Sequence, residues 1–270
     1  MIDIHSHVLW DLDDGPSTQE ESLAILAEAS ANGTTAMVAT PHLNTHFAYQ
    51  AGLSQNRITE LTANTGGSPR IYRGCEVHLT LDNVDQVLKS SEDFTINSTH
   101  YLLVELPNAQ IGRHIDLVLR HLLEAGITPI VAHPERNSAL RQKPDLVEGW
   151  VELGCFMQLT ANSITGEFGA SAKAASIQML DRGLVHVVAS DSHDAVHRHP
   201  RLSDAYELVL AKYGADYAQG LFNENPRDII EGFRLAGGRQ RFERPSPPWW
   251  RFWQEGAQRK PGSFTRTLWR

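Results

Sequence analysis

Histidines and carboxylates stand where short, strand-like hydrophobic runs stop, and this placement constrains the fold more than any other feature of the chain. The first run leads into His5 and His7, and a later run leads into Asp191 and His193. In an α/β barrel the C-terminal ends of the parallel strands meet at one mouth, so residues placed there converge in space. Nine candidate ligands are placed in this way: His5, His7, Asp14, His42, Glu76, Glu105, His133, Asp191 and His193.

Helix-like and strand-like segments alternate along the chain, usually with a glycine between them. Apolar residues at helical spacing span residues 115–123, Gly126 ends that pattern, and the run 128–132 leads to His133. The same order recurs over residues 170–189. Because about seven strand-like runs alternate with helices, the pattern predicts a parallel α/β architecture.

Local signals predict where some of these elements begin and end. Ser17 and Glu20 have the spacing of a capping box, which predicts the start of the first helix. Residues 71–77 are predicted as one strand that carries Glu76, and residues 155–159 as another with Gln158 near its end.

The composition suits a single barrel and excludes several classes of protein. A chain of 270 residues with 41% hydrophobic residues is long enough for one α/β barrel. The net charge of −8 argues against general nucleic-acid binding. Neither Cys75 nor Cys155 begins a Cys-x5-Arg loop, which disfavours a cysteine-nucleophile phosphatase. Without a secretory leader pattern or an apolar run of about 18 residues, a cytoplasmic protein is expected.

The last part of the chain differs from the rest in charge and in aromatic content. Residues 237–270 carry a net charge of +6 and four of the six tryptophans, whereas the remainder carries −14. We therefore predict a barrel over residues 1–236 and a C-terminal extension over residues 237–270. Interleaved Trp and Arg favour contact with the inner face of a membrane or with an acidic partner. The alternative is that the tryptophans cover an apolar patch on the barrel or on a neighbouring subunit of a homo-oligomer.

The candidate ligands indicate a centre of more than one metal ion. His5 and His7 are two residues apart on a strand, so both imidazoles point to one face. Glu76 and Glu105 lie within or at the end of apolar runs, where an unpaired charge is costly. Nine ligands exceed the about four to six that saturate one first-row ion, so two or three divalent ions are expected. Nitrogen and oxygen ligands without thiolate suit manganese, with iron and zinc as alternatives.

Clustered divalent ions favour the hydrolysis of a phosphoester by a metal-activated hydroxide that attacks phosphorus in line. Arg136 and Arg198 lie a few residues beyond ligand positions, and their guanidinium groups are predicted to bind phosphate oxygens. No phosphoenzyme is expected. The remaining histidines are expected on the surface, in loops or in the core: His46, His78, His100, His114, His121, His186, His197 and His199.

Seven segments of the chain carry a specific resemblance: MIDIHSHVLWDLDDGP, TPH, GCEVHLT, LLVELP, ITPIVAHPER, LVHVVASDSH and LFNENPRDII. Through them about residues 1–232 resemble the polymerase and histidinol phosphatase (PHP) superfamily, and specifically its bacterial manganese-dependent protein tyrosine phosphatases of capsule and exopolysaccharide synthesis. The resemblance implies a distorted (β/α)7 TIM-like barrel, the PHP fold, with a three-metal centre. It also implies that the nine candidate ligands hold the ions and that the substrate is a phosphotyrosine segment of a bacterial tyrosine autokinase.

Other functions are consistent with the same residues. A histidinol-phosphate phosphatase would use a similar metal barrel on a small alkyl phosphate. A nucleic-acid phosphoesterase suits the acidic body of the chain less well. A metal-containing scaffold in a polysaccharide complex would keep the ligands without turning over a substrate.

Overall fold

Parallel strands and the helices that connect them make up the computed structural model, which describes residues 1–107, 111–112 and 114–238. Within these residues the strands are β1 Ile2–Ser6, β2 Ala36–Ala39, β3 His42–Leu43, β4 Arg70–Arg73, β5 Glu76–His78, β6 Tyr101–Glu105, β7 Thr128–Ala132, β8 Phe156–Thr160 and β9 Val187–Ala189. The α-helices are α1 Gln19–Ala31, α2 Ala51–Thr65, α3 Leu81–Lys89, α4 Ser91–Phe94, α5 His114–Glu124, α6 Ser138–Arg141, α7 Pro144–Leu153, α8 Ala161–Thr165, α9 Ala170–Asp181, α10 Ser203–Tyr213, α11 Ala215–Gln219 and α12 Asn225–Glu231. A 3-10 turn at Ile96–Ser98 and a π-helical turn at Gly220–Glu224 complete the set.

The nine strands of the described chain correspond to seven strand positions of a barrel, here called staves. Two staves are interrupted, so each of them consists of two short strands: β2 with β3, and β4 with β5. Thr40 and Pro41 separate β2 from β3, and proline cannot donate a hydrogen bond to a neighbouring strand. Gly74 and Cys75 separate β4 from β5, so the prediction of one continuous strand over residues 71–77 is wrong. At this break the chain passes close to β2, since a Cβ on residue 74 would lie 2.9 Å from Cγ1 of Val38.

All paired strands are parallel, and they form two sheets that join at the end of β9. The orders are β1-β2-β4 and β3-β5-β6-β7-β8-β9. Beyond β9, Ser192 bridges to Ser6 of β1, and the His7 amide donates a hydrogen bond of 2.8 Å to the Ser192 carbonyl. The seven staves thereby follow one another around the predicted distorted (β/α)7 barrel.

The barrel interior is apolar at one end and polar at the other. Successive inward positions change character along single strands, from Leu103 to Glu105 on β6 and from Phe156 to Gln158 on β8. The apolar end is an interior cluster that includes Ile4, Val38, Leu103, Ile130, Phe156, Val187, Ile229 and Ile230. Burial of these side chains stabilises the barrel, while the opposite, C-terminal ends of the strands are left for the candidate ligands.

Helix α1 begins one residue later than the sequence predicts. Its N-cap is Thr18, whose hydroxyl accepts from the Glu21 amide, and the Glu21 carboxylate accepts from the Thr18 amide. The predicted pair Ser17 and Glu20 is therefore displaced by one residue, because both registers have the spacing of a capping box. Thr18 is the residue with the extended backbone that an N-cap requires.

The described part of the C-terminal segment crosses the apolar end of the barrel. The hydroxyl of Tyr101, at the start of β6, donates to the Phe233 carbonyl at 2.8 Å and accepts from the Leu235 amide at 3.0 Å. His186, just before β9, lies with its Nε2 3.0 Å from the Gly238 carbonyl. The chain therefore leaves the described region at the end of the barrel opposite the candidate ligands.

The predicted extension over residues 237–270 lies almost wholly outside the described residues, so its existence as a separate region stays a prediction. Among the helices that the structure describes, none combines the length and the apolar character that a membrane crossing requires.

Candidate metal centre

The nine predicted ligands collect at the C-terminal ends of the strands. His5 lies on β1 and Glu105 ends β6, whereas His42 and Glu76 begin the second halves of the two broken staves. Directly after strands stand His7 beyond β1, His133 beyond β7, and Asp191 and His193 beyond β9. Asp14 reaches the same place from the loop between β1 and α1. The breaks in the two staves thus turn two ligands inward at the mouth.

The deepest group contains His5, His7, Glu76 and Asp191. Nε2 of His5 and Nε2 of His7 are 3.3 Å apart. Each of these nitrogens lies 3.3 Å from Oε2 of Glu76 and 3.4 Å from Oδ1 of Asp191. The side chains are almost completely buried, so four ligand atoms face one small volume that is shielded from solvent.

A second group lies nearer the surface and shares His7. Oδ1 of Asp14 is 3.2 Å from Nε2 of His193 and 3.4 Å from Nε2 of His42. Ligand atoms of His7, Asp14, His42 and His193 all lie within 4.8 Å of one another, a spacing that suits a single ion. The Asp14 side chain is about half exposed, which opens this group to the outside.

Glu76 connects the deepest group with a third one. Its Oε1 lies 3.0 Å from Nε2 of His133, and its Oε2 lies 3.0 Å from Nδ1 of His42. Ligand atoms of His42, Glu76 and Glu105 again fall within 4.8 Å of one another. Glu105 also has its Oε2 3.2 Å from Nδ1 of His78, a histidine that the sequence did not single out.

Buried polar atoms without a hydrogen bond test whether these residues fit metal ions. Within the described residues, Oε2 of Glu76, Nδ1 of His42 and Nε2 of His193 are such atoms. A buried carboxylate oxygen without a donor is costly, and each of the three atoms faces the ligand atoms of a neighbouring side chain. Divalent cations between these side chains would satisfy all three atoms, so the residue set fits a multinuclear metal centre.

For three of the ligand histidines, a contact outside the centre determines which ring nitrogen faces the ligands. Nδ1 of His5 lies 3.0 Å from Oε1 of Gln158, and Nδ1 of His7 lies 2.6 Å from Oδ2 of Asp13. Nδ1 of His193 lies 3.1 Å from the Asp191 carbonyl. Partners of this kind leave Nε2 as the ligand atom and hold the ring in place.

Two predicted ligands have an unusual backbone conformation. His133 has a φ of 33° and Asp191 has a φ of 53°, in the left-handed region that residues with a side chain rarely adopt. Such strain is concentrated at functional sites because the surrounding structure holds it in place. Here it turns both side chains back over the mouth after the strands have ended.

Both predicted phosphate-binding arginines contact the same carboxylate. NH2 of Arg198 lies 2.8 Å from Oδ2 of Asp191, and NH1 of Arg136 contacts the same oxygen. Each arginine side chain is about 30% exposed, while Asp191 is buried. The guanidinium groups therefore stand between the buried ligands and the solvent, with further donors available to an anion.

Comparison with known proteins identifies the family. The model of the family described as capsular polysaccharide synthesis, CpsB/CapC, matches residues 1–231. The chain belongs to the CpsB/CapC family. It is 36% identical over 239 residues to the tyrosine-protein phosphatase CpsB of Streptococcus pneumoniae, covering 85% of this chain and 98% of that protein. It is also 36% identical over 203 residues to a putative tyrosine-protein phosphatase CapC of Staphylococcus aureus, covering 73% and 79% of the two chains.

A solved structure confirms the fold predicted for this CpsB/CapC chain. The match comes from the crystal structures of YwqE from Bacillus subtilis and CpsB from Streptococcus pneumoniae, described as unique metal-dependent tyrosine phosphatases. The TM-score is 0.82 at 29% sequence identity, over 89% of this chain and 98% of the matched chain.

The electrostatics of the centre suit cations. Burial raises the pKa of Glu76 and of Asp191, but His5 and the other neighbouring imidazoles outweigh it and hold both pKa values well below the usual range. Both carboxylates are therefore ionised at neutral pH. Burial, together with the charge of His7, lowers the pKa of His193 to about 4, so its Nε2 lone pair is free of a proton.

The sequence did not predict two parts of this site. Asp13 stands out in the sequence only as one of three aspartates in its loop, and its contact with His7 depends on how the loop folds back. Glu135, between His133 and Arg136, is fully buried and accepts a hydrogen bond of 3.0 Å from the Thr160 amide. Its position beside two predicted site residues was the available signal.

A cleft of about 600 Å³ opens beside the second group of ligands. Its polar lining includes Asp14, His193 and Arg198. Its walls are partly apolar and include Pro16, Ala24, Ala195 and Val196. A phosphate held at the arginines would therefore have space beside it for a larger organic group.

Proposed function

We propose that this CpsB/CapC protein is a metal-dependent protein-tyrosine phosphatase acting in capsular or exopolysaccharide synthesis. The observation that carries the proposal is the meeting of three overlapping ligand groups with two guanidinium groups at Asp191. Cations and arginines so arranged suit the binding and hydrolysis of a phosphoryl group. The similarity to the CpsB and YwqE phosphatases supports the same conclusion.

The nine predicted ligands are proposed to hold two or three divalent ions, with manganese first and iron or zinc as alternatives. His5, His7, Glu76 and Asp191 would hold one ion, His7, Asp14, His42 and His193 a second, and His42, Glu76, Glu105 and His133 a third. When bound, such ions supply a hydroxide nucleophile near neutral pH and neutralise the phosphoryl oxygens. The buried thiol of Cys75 takes no part, because burial raises its pKa well above the usual range.

The arginines and the cleft account for substrate binding. Arg136 and Arg198 would each donate to phosphoryl oxygens, and their common contact with Asp191 aims both guanidinium groups at one point. The apolar wall formed by Pro16, Ala24, Ala195 and Val196 is positioned to contact the tyrosyl ring. The leaving group would be a phenolate. Because the pKa of the corresponding phenol is about 10, the phenolate can depart with little help from an acid.

The proposed substrate is a phosphotyrosine segment of a bacterial tyrosine autokinase. A protein substrate suits a cleft that opens to solvent beside the half-exposed Asp14. Nucleic acid is not proposed as a partner, since the chain has a net charge of −8.

Initial rates would test the proposal. The chain would be stripped with a chelator, reloaded with manganese, iron or zinc, and assayed with a phosphotyrosine peptide and with histidinol phosphate at equal concentration. We expect metal-dependent turnover that favours the peptide. Preference for histidinol phosphate would move the protein to the alkyl phosphatase alternative, and bound metal without turnover of either substrate would favour the scaffold.

The C-terminal extension, residues 237–270, is proposed to hold the protein at the inner face of the membrane through its Trp and Arg residues. Its charge of +6 against −14 for the rest of the chain supports this role. Sedimentation with anionic lipid vesicles, with and without residues 239–270, tests it. Equal sedimentation of the two proteins would favour the alternative, in which the tryptophans cover a patch on the barrel or on a second subunit.

A further inference from the structure

A tight turn between α8 and α9 touches the two chain segments that carry Arg136 and Arg198. The turn consists of residues 166–169, and its two central residues are Glu167 and Phe168. We propose that this turn is a brace that positions both phosphate-binding arginines, with Phe168 acting on Arg136 and Glu167 acting on the segment of Arg198. The inference rests on the proposed function and adds two positioning residues to it.

The ring of Phe168 contacts the guanidinium of Arg136. The Cζ atom of Arg136 lies 4.6 Å from the centroid of the Phe168 ring, within the range of a cation–π interaction. Arg136 also contacts Oδ2 of Asp191 through its NH1. The guanidinium thus contacts both a ring and a carboxylate, which limits its rotation before substrate arrives.

Glu167 holds the segment that follows Arg198. Its Oε2 lies 2.9 Å from Nε2 of His199, a side chain that is 7% exposed. Nδ1 of His199 accepts from the Arg201 amide at 3.3 Å, so the ring hydrogen is on Nε2 and points to Glu167. On the N-terminal side, the Arg198 carbonyl accepts from the His193 amide at 2.9 Å. Arg198 therefore stands between two fixed points.

The turn itself is rigid enough to act as a brace. The Phe168 amide donates to the Asn162 carbonyl at 3.3 Å, and the Gly169 amide donates to the Gly166 carbonyl at 2.9 Å. Gly166 and Gly169 have φ values of 105° and 89°, which side-chain-bearing residues rarely adopt. The turn follows β8 and α8, so it is anchored on the barrel and not on the segments that it supports.

Substitutions at the brace should weaken phosphate binding while metal loading stays unchanged. Phe168→Leu keeps apolar volume but loses the aromatic face, and we expect a two- to five-fold rise in the dissociation constant of inorganic phosphate, about the worth of an exposed cation–π contact. Phe168→Tyr keeps the aromatic face and should bind phosphate as wild type does. Glu167→Ala should give a rise of similar size, and Glu167→Gln a smaller one because an acceptor oxygen remains.

Lys173, in the first turn of α9, supplies a matched control beside the brace. Its Nζ donates to the Thr165 carbonyl at 3.0 Å, and neither that contact nor its stem against Gly166 involves an arginine. Lys173→Ala should leave the phosphate dissociation constant within about 1.5-fold of wild type, because the loss of a surface contact has only a small effect. A rise as large as that of Phe168→Leu would mean that general loosening of the turn, and not contact with the arginines, is responsible.

The experiment is calorimetric titration of inorganic phosphate into the manganese-loaded full chain, with manganese content and thermal unfolding recorded for each variant. Phe168→Leu should have no further effect when Arg136 is already Ala, since its action passes through that guanidinium. Wild-type phosphate binding in both Phe168→Leu and Glu167→Ala would overturn the brace. Weaker binding in the variants without turnover of phosphotyrosine by wild type would support the brace and overturn the function. No phosphate binding by wild type would overturn both.

Discussion

Asp13 places its Oδ2 2.6 Å from Nδ1 of His7, and through this contact it orients an imidazole that two ligand groups share. The same oxygen accepts from the His42 amide at 3.1 Å, and the other carboxylate oxygen accepts from the Gly15 amide at 3.0 Å. One carboxylate therefore organises the loop, a ligand and the start of β3.

Asp13→Asn should lower manganese affinity about ten-fold or more, the usual effect of losing a partner of a ligating histidine. An asparagine has a single carbonyl oxygen and no charge, so it cannot serve all three donors. Metal competition with a fluorescent chelator measures the affinity. Asp11→Asn, in the same loop, is the control and should bind manganese as wild type does. Equal affinities in the two variants would contradict the role of Asp13.

Glu76→Gln should remove most bound metal and lower kcat by at least about a thousand-fold, because it takes a charge from a carboxylate shared by two ligand groups. Metal content per chain and initial rates with a phosphotyrosine peptide would be measured together. Glu124→Gln, on the exposed side of α5, controls for the loss of one carboxylate. Full metal content in the Glu76 variant would remove this residue from the ligand set.

Arg198→Lys should raise KM for a phosphotyrosine peptide about ten-fold, because an ammonium cannot make the paired hydrogen bonds of a guanidinium. Arg201→Lys is a matched control three residues further on, where the side chain pairs with Glu28 at the surface. Steady-state kinetics and inhibition by inorganic phosphate would report the change. An unchanged phosphate inhibition constant in the Arg198 variant would argue against direct contact with the substrate.

His186 should make the stability of the protein depend on pH. Burial lowers its pKa to about 4, whereas in the unfolded chain a histidine has its usual pKa of about 6.5. Between these values the unfolded state binds more protons, so the folded state loses stability as the pH falls. From pH 7 to pH 5 the loss from this group is about 2 kcal/mol.

Urea unfolding of wild type and His186→Gln at pH 7 and pH 5 would isolate this contribution. The metal ligands titrate in both proteins, so only the difference between the two pH dependences reports on His186. We expect a shallower dependence in the variant. Parallel dependences would show that His186 is protonated to the same extent in the folded and unfolded chains.

Removal of residues 239–270 should leave kcat/KM for a phosphotyrosine peptide within about two-fold of wild type, the range expected for changes distant from a site. The described chain reaches Gly238 at the apolar end of the barrel, held there by Tyr101 and His186. A loss of more than about ten-fold would mean that the extension reaches the mouth or a second subunit's site.

Much of the fold and of the candidate site could be predicted because the signals are local. A strand that ends in a histidine or carboxylate is visible in the sequence, and parallel strands bring such ends together. The breaks at Pro41 and Gly74 were less visible, since the apolar pattern over residues 71–77 runs through one of them. The predicted N-cap of α1 is off by one residue because two overlapping registers both have the spacing of a capping box. Asp13 and the Glu167 turn depend on loop geometry, which carries no periodic signal.

One carboxylate oxygen of Glu76 faces three imidazoles and the other faces a fourth, so several ligand groups share this side chain. If two ions bind here as proposed, the first to arrive would change the charge that the next one meets, because both would share the same carboxylate. Loading is therefore expected to be sequential, with affinities that differ from one ion to the next. A partly filled protein would then be a defined species instead of a random mixture, and the supply of metal in the cell would set how much of the protein is fully loaded.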